Sequence, residues 1–215
     1  MTTQAQLVTR AADTLFINGV MSHTGHANLS ARLEGEKMLL TIDGHVRNLT
    51  EDRLATVSLD GTVLEGELDP TNAEIVAMHS EVYKIRPEVG GIIHTHSPHL
   101  LAFAMANVAL PCRYEALLRW GQATDVPVAP WAPRGSQDSV SSIIDLIKAN
   151  PETHAVLLGN HGVLVFGTDP VATAQLLTVL EEAAEAELAA VSLGGANSPP
   201  ATALEAIRAA MARVR

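Results

Sequence analysis

Two histidines separated by one residue, His94 and His96, follow an apolar stretch that ends in Ile92-Ile93. On an extended strand, residues i and i+2 project from the same face, so both imidazoles would point to one side. Such a pair supplies two ligands of a metal site. The pattern by itself also fits a strand end with one solvated histidine and one core histidine.

Two other segments carry residues of related chemistry. His161 lies in a glycine-flanked turn at residues 159–162, between two apolar runs, and Glu74 lies in the first turn of a predicted helix over residues 73–84. A carboxylate there is favoured by the helix dipole, so Glu74 alone indicates a simple N-terminal charge. A role for Glu74 beside His94 requires the fold to bend this helix start towards the His94 strand.

Three neutral imidazoles would leave a divalent cation its full charge and an open coordination position. Such a Lewis acid can hold two oxygens of a hydroxy-ketone or keto acid and stabilise the enediolate formed when a neighbouring C–C or C–H bond breaks. Glu74 is the candidate base that moves the proton. A structural zinc site would instead have four protein ligands, usually including cysteine, and Cys112 lies in no such spacing. A catalytic metal site is therefore favoured.

Composition excludes several classes of protein. The 215 residues carry a net charge of −10, and aromatic residues make up 3% of the chain. A phosphate-binding surface needs clustered Lys and Arg, so neither nucleic acid nor an anionic membrane is expected as a partner. A single cysteine forms no internal disulfide, and the N-terminus lacks a secretory pattern. We expect one domain spanning residues 1–215, located in the cytoplasm.

Hydrophobic periodicity predicts strands in the middle of the chain, with helices at both ends and between them. Strands are predicted at residues 29–33, 38–42, 56–59, 62–64, 155–158 and 163–166, and helices at 4–18, 73–84, 136–148, 170–193 and 201–214. This order indicates an α/β sandwich with a largely antiparallel or mixed sheet. His26 is predicted to be a loop polar group, and Glu181 and Glu187 part of a solvated helix face.

The helix-start glutamate, the following His-x-His and the later Asn-His-Gly turn together resemble the class II aldolase and adducin family, over about residues 4–193. The resemblance implies a three-layer αβα sandwich with a central, mainly antiparallel sheet, assembled as a homotetramer with active sites between subunits. It implies that His94, His96 and His161 bind Zn²⁺ and that Glu74 is the acid/base residue. Sites of three histidines also accept Mn²⁺, Co²⁺ or Fe²⁺.

Phosphate-binding aldolases of this family carry Gly-Asn, Thr-Gly and Ser-Ser pairs where the substrate binds. The matching pairs in this chain are Ala27-Asn28, Asp43-Gly44 and Asn72-Ala73. A carboxylate facing a phosphate dianion is repulsive unless compensated, so we expect a substrate other than an ordinary sugar phosphate. Asn28, Asp43, Gly44 and Asn72 are the predicted substrate-binding residues. Asp43 either accepts hydrogen bonds from hydroxyls or pairs with Arg47 or Arg32 in a structural role.

The resemblance leaves two candidates for the second acid of the reaction. The tyrosine that donates a proton from the neighbouring subunit in phosphate aldolases aligns with Glu115, and Tyr114 lies beside it, so both are candidates.

The predicted function is a metal-dependent lyase that cleaves or forms a C–C bond next to a carbonyl of a small hydroxylated compound, by an aldol-type reaction. Decarboxylation of a hydroxylated keto or aromatic acid uses the same site, as does epimerisation or dehydration. A non-catalytic adducin-like interaction module is the alternative from a different class.

Overall fold

The protein is described here by a computed structural model covering residues 2–213, with residues 73 and 74 described by backbone only. The helices in this range are α1 (Gln4–Ile17), α2 (Ala73–Ile85), α3 (Pro98–Ala106), α4 (Glu115–Arg119), α5 (Gln137–Ala149), α6 (Pro170–Ala190) and α7 (Ala203–Ala212). The strands are β1 (Ala27–Leu33), β2 (Lys37–Thr41), β3 (Leu54–Ser58), β4 (Val63–Glu65), β5 (Gly91–Thr95), β6 (Val128–Ala129), β7 (Ala155–Leu158) and β8 (Gly162–Gly167).

The strands form one sheet in the order β4-β3-β2-β1-β5-β8-β7-β6. Every neighbouring pair is antiparallel except β6 and β7, which are parallel. The short strand β6 lies at the edge, as expected for a segment that contains Pro127 and Pro130. The predicted sheet, mainly antiparallel and covered by helices, is confirmed.

Helices cover both faces of this sheet. On one face α1, α3, α4 and α6 pack over apolar side chains of the central strands, among them Leu29 and Ile93. On the other face α2 and α5 pack over the alternate residues, among them Leu40 and Ile92. Successive strand residues point to opposite faces, so each central strand contributes to both cores. The predicted three-layer αβα arrangement is therefore present.

One local prediction differs from the structure. Glu181 was expected on a solvated face of α6, yet it is 6% exposed and accepts hydrogen bonds from the backbone N–H groups of His99 and Leu100 at the start of α3. The carboxylate satisfies N–H groups that have no partner within the helix, which explains why it is buried. Its position on α6 follows from helix packing, which periodicity does not report.

None of the helices in the described part of the chain combines the length and the hydropathy needed to cross a membrane.

Candidate metal centre and substrate site

Two adjacent antiparallel strands bring the predicted metal ligands together. β5 pairs with β8 so that His94 lies opposite Leu164. If the same register is continued by two residues, His96 lies opposite Gly162. His161 directly precedes Gly162, so it lies next to His96. A Cβ atom on Gly162 would lie 2.7 Å from Cδ2 of His96, so only glycine permits this close approach of the two strand ends.

The three histidines converge at this end of the sheet. One ring nitrogen from each of His94, His96 and His161 lies within 4.8 Å of those of the other two. The ring centroids are 5.2 Å apart for His94 and His96, 4.8 Å for His94 and His161, and 5.2 Å for His96 and His161. His94 is 1% exposed, and the other two are partly buried. Residues far apart in sequence thus form one cluster of possible metal ligands.

A backbone hydrogen bond defines which nitrogen of His94 faces the cluster. Nδ1 of His94 lies 3.0 Å from the carbonyl oxygen of Val163. Because a carbonyl only accepts, Nδ1 carries the hydrogen, and Nε2 keeps its lone pair. Metal-binding histidines commonly have their second nitrogen held in this way.

The surroundings keep the cluster neutral. Burial, then the charges that His161 and His96 would carry, lower the pKa of His94 well below its ordinary value. Burial, followed by His161 and His26, lowers the pKa of His96 to about 4. Burial and the positive charge of Arg134 lower the pKa of His161. Neutral imidazoles are the form that binds metals.

The cluster also contains an unsatisfied nitrogen. Nε2 of His96 is buried and has no hydrogen-bond partner among the described residues. A buried polar atom without a partner is costly, and coordination to a metal ion would satisfy it. Together with the neutral donor set, this atom shows that the three histidines fit a divalent metal ion.

His26 lies beside the cluster, which corrects the prediction of a loop polar group. Its ring stacks on that of His96, with centroids 5.4 Å apart and an angle of 7° between the planes. β1 starts at Ala27, opposite Thr95, two residues earlier than predicted. The same register therefore places His26 opposite His96. The i, i+2 spacing of His26 and Asn28 was the sequence signal that both side chains share one face of a strand. That signal becomes informative only when the start of the strand is known.

The start of α2 lies next to the same strand positions. Asn28 is opposite His94 in the pairing of β1 with β5, so the two side chains share a face. The Nδ2 group of Asn28 donates to Oδ1 of Asn72, 3.2 Å away, and Nδ2 of Asn72 donates to the carbonyl of Thr41 at 3.0 Å. Asn72 immediately precedes α2. The side chain of Glu74 lies outside the described residues, so its catalytic role stays a prediction.

Asp43 pairs with Arg53, and not with Arg47 or Arg32 as predicted. Asp43 accepts a hydrogen bond from Nη2 of Arg53 at 2.5 Å and another from the backbone N–H of His45 at 2.7 Å. Arg32 instead donates to backbone carbonyls, including that of Val89, and Arg47 lies over the ring of Phe16. The pairing with Arg53 follows from the contact between β2 and β3, which the short-range pattern did not reveal.

The two candidates for the second acid are at the start of α4. Tyr114 is 43% exposed, and Glu115 forms an exposed ion pair with Arg119 one helical turn later. Their role as a second acid stays a prediction. Two further histidines have partners elsewhere in the fold: His99 bonds to Glu181, and His154 packs near Phe166.

A cavity of about 250 Å³ opens beside His161. It lies on the side of the sheet covered by α2 and α5, and its wall includes Trp131, Arg134 and Val140. A cavity next to a cluster of metal ligands is the usual position for a small-molecule substrate.

Comparison with known proteins identifies the family of this chain. The family model for the class II aldolase and adducin N-terminal domain matches residues 6–188. This chain belongs to that family. The match confirms the resemblance found in the sequence. This family member is 30% identical over 169 residues to a 3-oxo-tetronate 4-phosphate decarboxylase from Haemophilus influenzae, covering 75% of this chain and 76% of the relative.

Solved structures show the same fold. An L-fuculose 1-phosphate aldolase superposes with a TM-score of 0.83 at 23% identity, over 95% of this chain and 93% of the other. YgbL from Klebsiella pneumoniae gives a TM-score of 0.77 at 24% identity, over 95% and 97% of the two chains. At this level of identity the likeness establishes the architecture. The family match and the decarboxylase relative support the predicted lyase class.

Proposed function

We propose that this class II aldolase-family chain is a divalent-metal-dependent carbon–carbon lyase that decarboxylates a small hydroxylated keto or aromatic acid. The observation that carries the proposal is the cluster of three neutral imidazoles whose nitrogens lie within 4.8 Å of one another. The choice of decarboxylation over other lyase reactions is supported by the relative from Haemophilus influenzae, which is named a decarboxylase.

His94, His96 and His161 would hold the metal, with Zn²⁺ as the first expectation and Mn²⁺, Co²⁺ or Fe²⁺ as alternatives. When bound, the metal supplies a Lewis acid that withdraws electron density from a substrate carbonyl.

The protein residues around it orient the ligands and keep them neutral. The carbonyl of Val163 holds the His94 ring through Nδ1, which leaves Nε2 directed away from that bond. Asn28 has its Oδ1 atom buried and without a partner among the described residues, so this oxygen is available to accept a hydrogen bond from a substrate hydroxyl. Asn28 forms the proposed substrate wall on this side together with Asn72 and with Gly44, which lies beneath the ring of His26. Glu74, in the first turn of α2, is proposed to move the proton.

Aldol cleavage is the second candidate, because the family model is that of the class II aldolases. Epimerisation and dehydration would use the same residues. We further propose a zinc-dependent cytoplasmic homotetramer, in which Tyr114 or Glu115 of a neighbouring subunit supplies the second acid. The relatives' family supports such an assembly.

The test combines metal analysis with carbon dioxide release. Purified protein is expected to hold about one metal ion per chain and to release carbon dioxide from members of a panel of 3-oxo acids and dihydroxybenzoates. Glu74→Gln should keep the metal and lose activity by about 100-fold or more, since a positioned acid or base contributes that much. Glu81→Gln is the matched control, because Glu81 lies on the same helix and pairs with Lys84.

Near-normal turnover of Glu74→Gln would remove this residue from the mechanism. Protein without metal, whose metal content is not restored by added Zn²⁺, would favour the adducin-like interaction module instead. Aldehyde formation without carbon dioxide would select aldol cleavage.

A further inference from the structure

The cavity beside His161 differs chemically from the surroundings of Asn28. Most of its wall is apolar, built by α2, α5, β7 and the segment around Pro130. The apolar side chains with the largest surfaces are Ile75, Met78, Trp131, Val140, Ile143 and Leu158. A polyhydroxylated sugar chain would leave hydroxyl groups without hydrogen-bond partners against such a wall, which is unfavourable. The wall is instead suited to the flat or apolar body of a ligand.

Trp131 adds an aromatic surface to this cavity. The residue is 64% exposed, an unusual position for the largest side chain. Exposed aromatic rings at a cavity often contact a ligand ring through offset or edge-to-face packing. A ring or other flat group bound in the cavity would cover part of this exposed surface.

Arg134 brings a positive charge to the same cavity. Of the residues that form the described wall, Arg134 is the one with a permanently charged side chain, and Ser139 and Ser142 lie on the same wall. Arg134 and His161 line the same cavity, so this positive charge lies beside the metal cluster. A guanidinium binds a carboxylate through two parallel hydrogen bonds, which fixes orientation as well as charge.

The surroundings of Asp43 are poorly suited to an anion. Asp43 carries a negative charge, and its pairing with Arg53 uses the cation that could have offset an incoming phosphate. The side-chain amide of Asn72 is already engaged, because its Oδ1 accepts from Asn28 and its Nδ2 donates to the carbonyl of Thr41. A Cβ atom on Gly44 would lie 1.9 Å from the ring of His26, so this imidazole already fills the space above the glycine.

We propose that the substrate is a hydroxylated acid with an apolar, ring-like body, and that Arg134 binds one of its carboxylates while Trp131 packs against the body. The inference rests on the proposed lyase function and gives that function a substrate class. The carboxylate bound by Arg134 then lies in the cavity that opens beside His161.

The experiment measures the binding of benzoate, acetate and 2-phosphoglycolate to the purified protein by calorimetry, before and after loading with Zn²⁺. We expect benzoate to bind more tightly than either other anion in both states. Arg134→Gln should weaken benzoate binding by about 10-fold or more, as expected for a lost charge-assisted pair. Arg10→Gln is the matched control, because Arg10 is an exposed arginine of α1 on the other side of the sheet.

Two further variants separate binding from folding. Arg134→Lys keeps the charge but loses the paired hydrogen bonds, so its benzoate affinity should lie between those of wild type and Arg134→Gln. Trp131→Ala should weaken benzoate binding and leave acetate binding unchanged. Circular dichroism of each variant checks that the fold is retained.

The proposal is overturned if 2-phosphoglycolate binds more tightly than benzoate, or if Arg134→Gln and Arg134→Lys both bind benzoate like Arg10→Gln. Failure of the lyase function is a distinct result: it would appear as absence of metal and turnover while Arg134-dependent benzoate binding persists.

Discussion

The two faces of the central sheet bury residues of different kinds, and β1 shows the difference within a single strand. Its residues Ala27, Leu29 and Ala31 face the layer of α1 and α6 and belong to a wholly apolar core. The alternate residues Asn28 and Ser30 face α2 and are also fully buried. In β1, the side that faces α1 and α6 is therefore a packing surface, whereas the side that faces α2 carries polar groups that need partners.

Hydrogen bonds meet this requirement on the α2 face. The hydroxyl of Ser30 lies 2.8 Å from Nδ1 of His79 and 2.9 Å from the hydroxyl of Tyr83, all three being buried. Arg32 continues the row by donating to the carbonyls of Tyr83 and Arg86 at the end of α2. This row and the bonds of Asn72 connect both ends of α2 to β1. The difference between the two sides of β1 teaches that its apolar residues serve packing, while its polar residues set the position of the helix that begins the candidate site.

The largest effect is expected on metal binding, which should be lost only when a residue of the histidine cluster is replaced. His96→Ala should reduce metal affinity by more than about 100-fold, since even partners of metal ligands contribute 10- to 100-fold. His99→Ala, next to the other face, should keep the metal because its ring nitrogen bonds to Glu181. Elemental analysis after dialysis measures both. Full metal occupancy in His96→Ala would contradict the assignment of this ligand.

A truncation on the apolar face should affect stability without affecting the site. Leu177, on α6, is fully buried, and Leu177→Ala should lower the free energy of unfolding by about 2–5 kcal/mol. Urea denaturation measures this loss, and metal content should remain that of the wild type. Leu188→Ala on the same helix is the control, because Leu188 is 42% exposed and should change stability by about 0.5 kcal/mol or less. Loss of metal in a folded Leu177→Ala protein would contradict the separation of roles.

The polar face should make stability sensitive to acid. Burial lowers the pKa of His79 to about 3, whereas an unfolded histidine titrates near about 6.5. Below that pH the unfolded chain binds a proton that the folded chain excludes, so stability falls as pH decreases from 6.5 towards 3. Between pH 7 and pH 5, His79 should account for a loss of about 2 kcal/mol. Urea titrations at both pH values measure the free energy of unfolding of wild type and His79→Asn. The loss between pH 7 and pH 5 should be smaller in His79→Asn by that amount. An equal pH dependence in the two proteins would show that His79 is not the titrating group.

The smallest effect is expected from the ion pair near the site. The side chains of Asp43 and Arg53 are 25% and 31% exposed, so solvent screens their attraction. Asp43→Asn should therefore cost about 1 kcal/mol or less, since asparagine still accepts from the N–H of His45. Chemical denaturation at low and high salt measures the cost, with Glu115→Gln as the matched control from the exposed pair with Arg119. A loss several times larger would mean that Asp43 holds the site together.

Local patterns predicted much of this architecture. The strands around His94 and His161 were visible because apolar β-branched runs end in glycine-containing turns, and Ser136 was a recognisable start for α5 through its bond to the N–H of Ser139. The burial of Glu181 and the pairing of Asp43 with Arg53 were not predictable in this way. Each depends on which elements become neighbours, and no short-range spacing encodes that.

The sequence by itself indicated the family and its three candidate metal ligands through the resemblance of its motifs. It also indicated an α/β sandwich with a largely antiparallel or mixed sheet, because periodicity and residue type act locally. Only the tertiary structure decided that His26 stacks on His96, that the start of α2 is bonded to the strand position opposite His94, and that an apolar cavity with Arg134 opens beside His161. These features arise from strand register and helix packing across the sheet, which join residues that are distant along the chain.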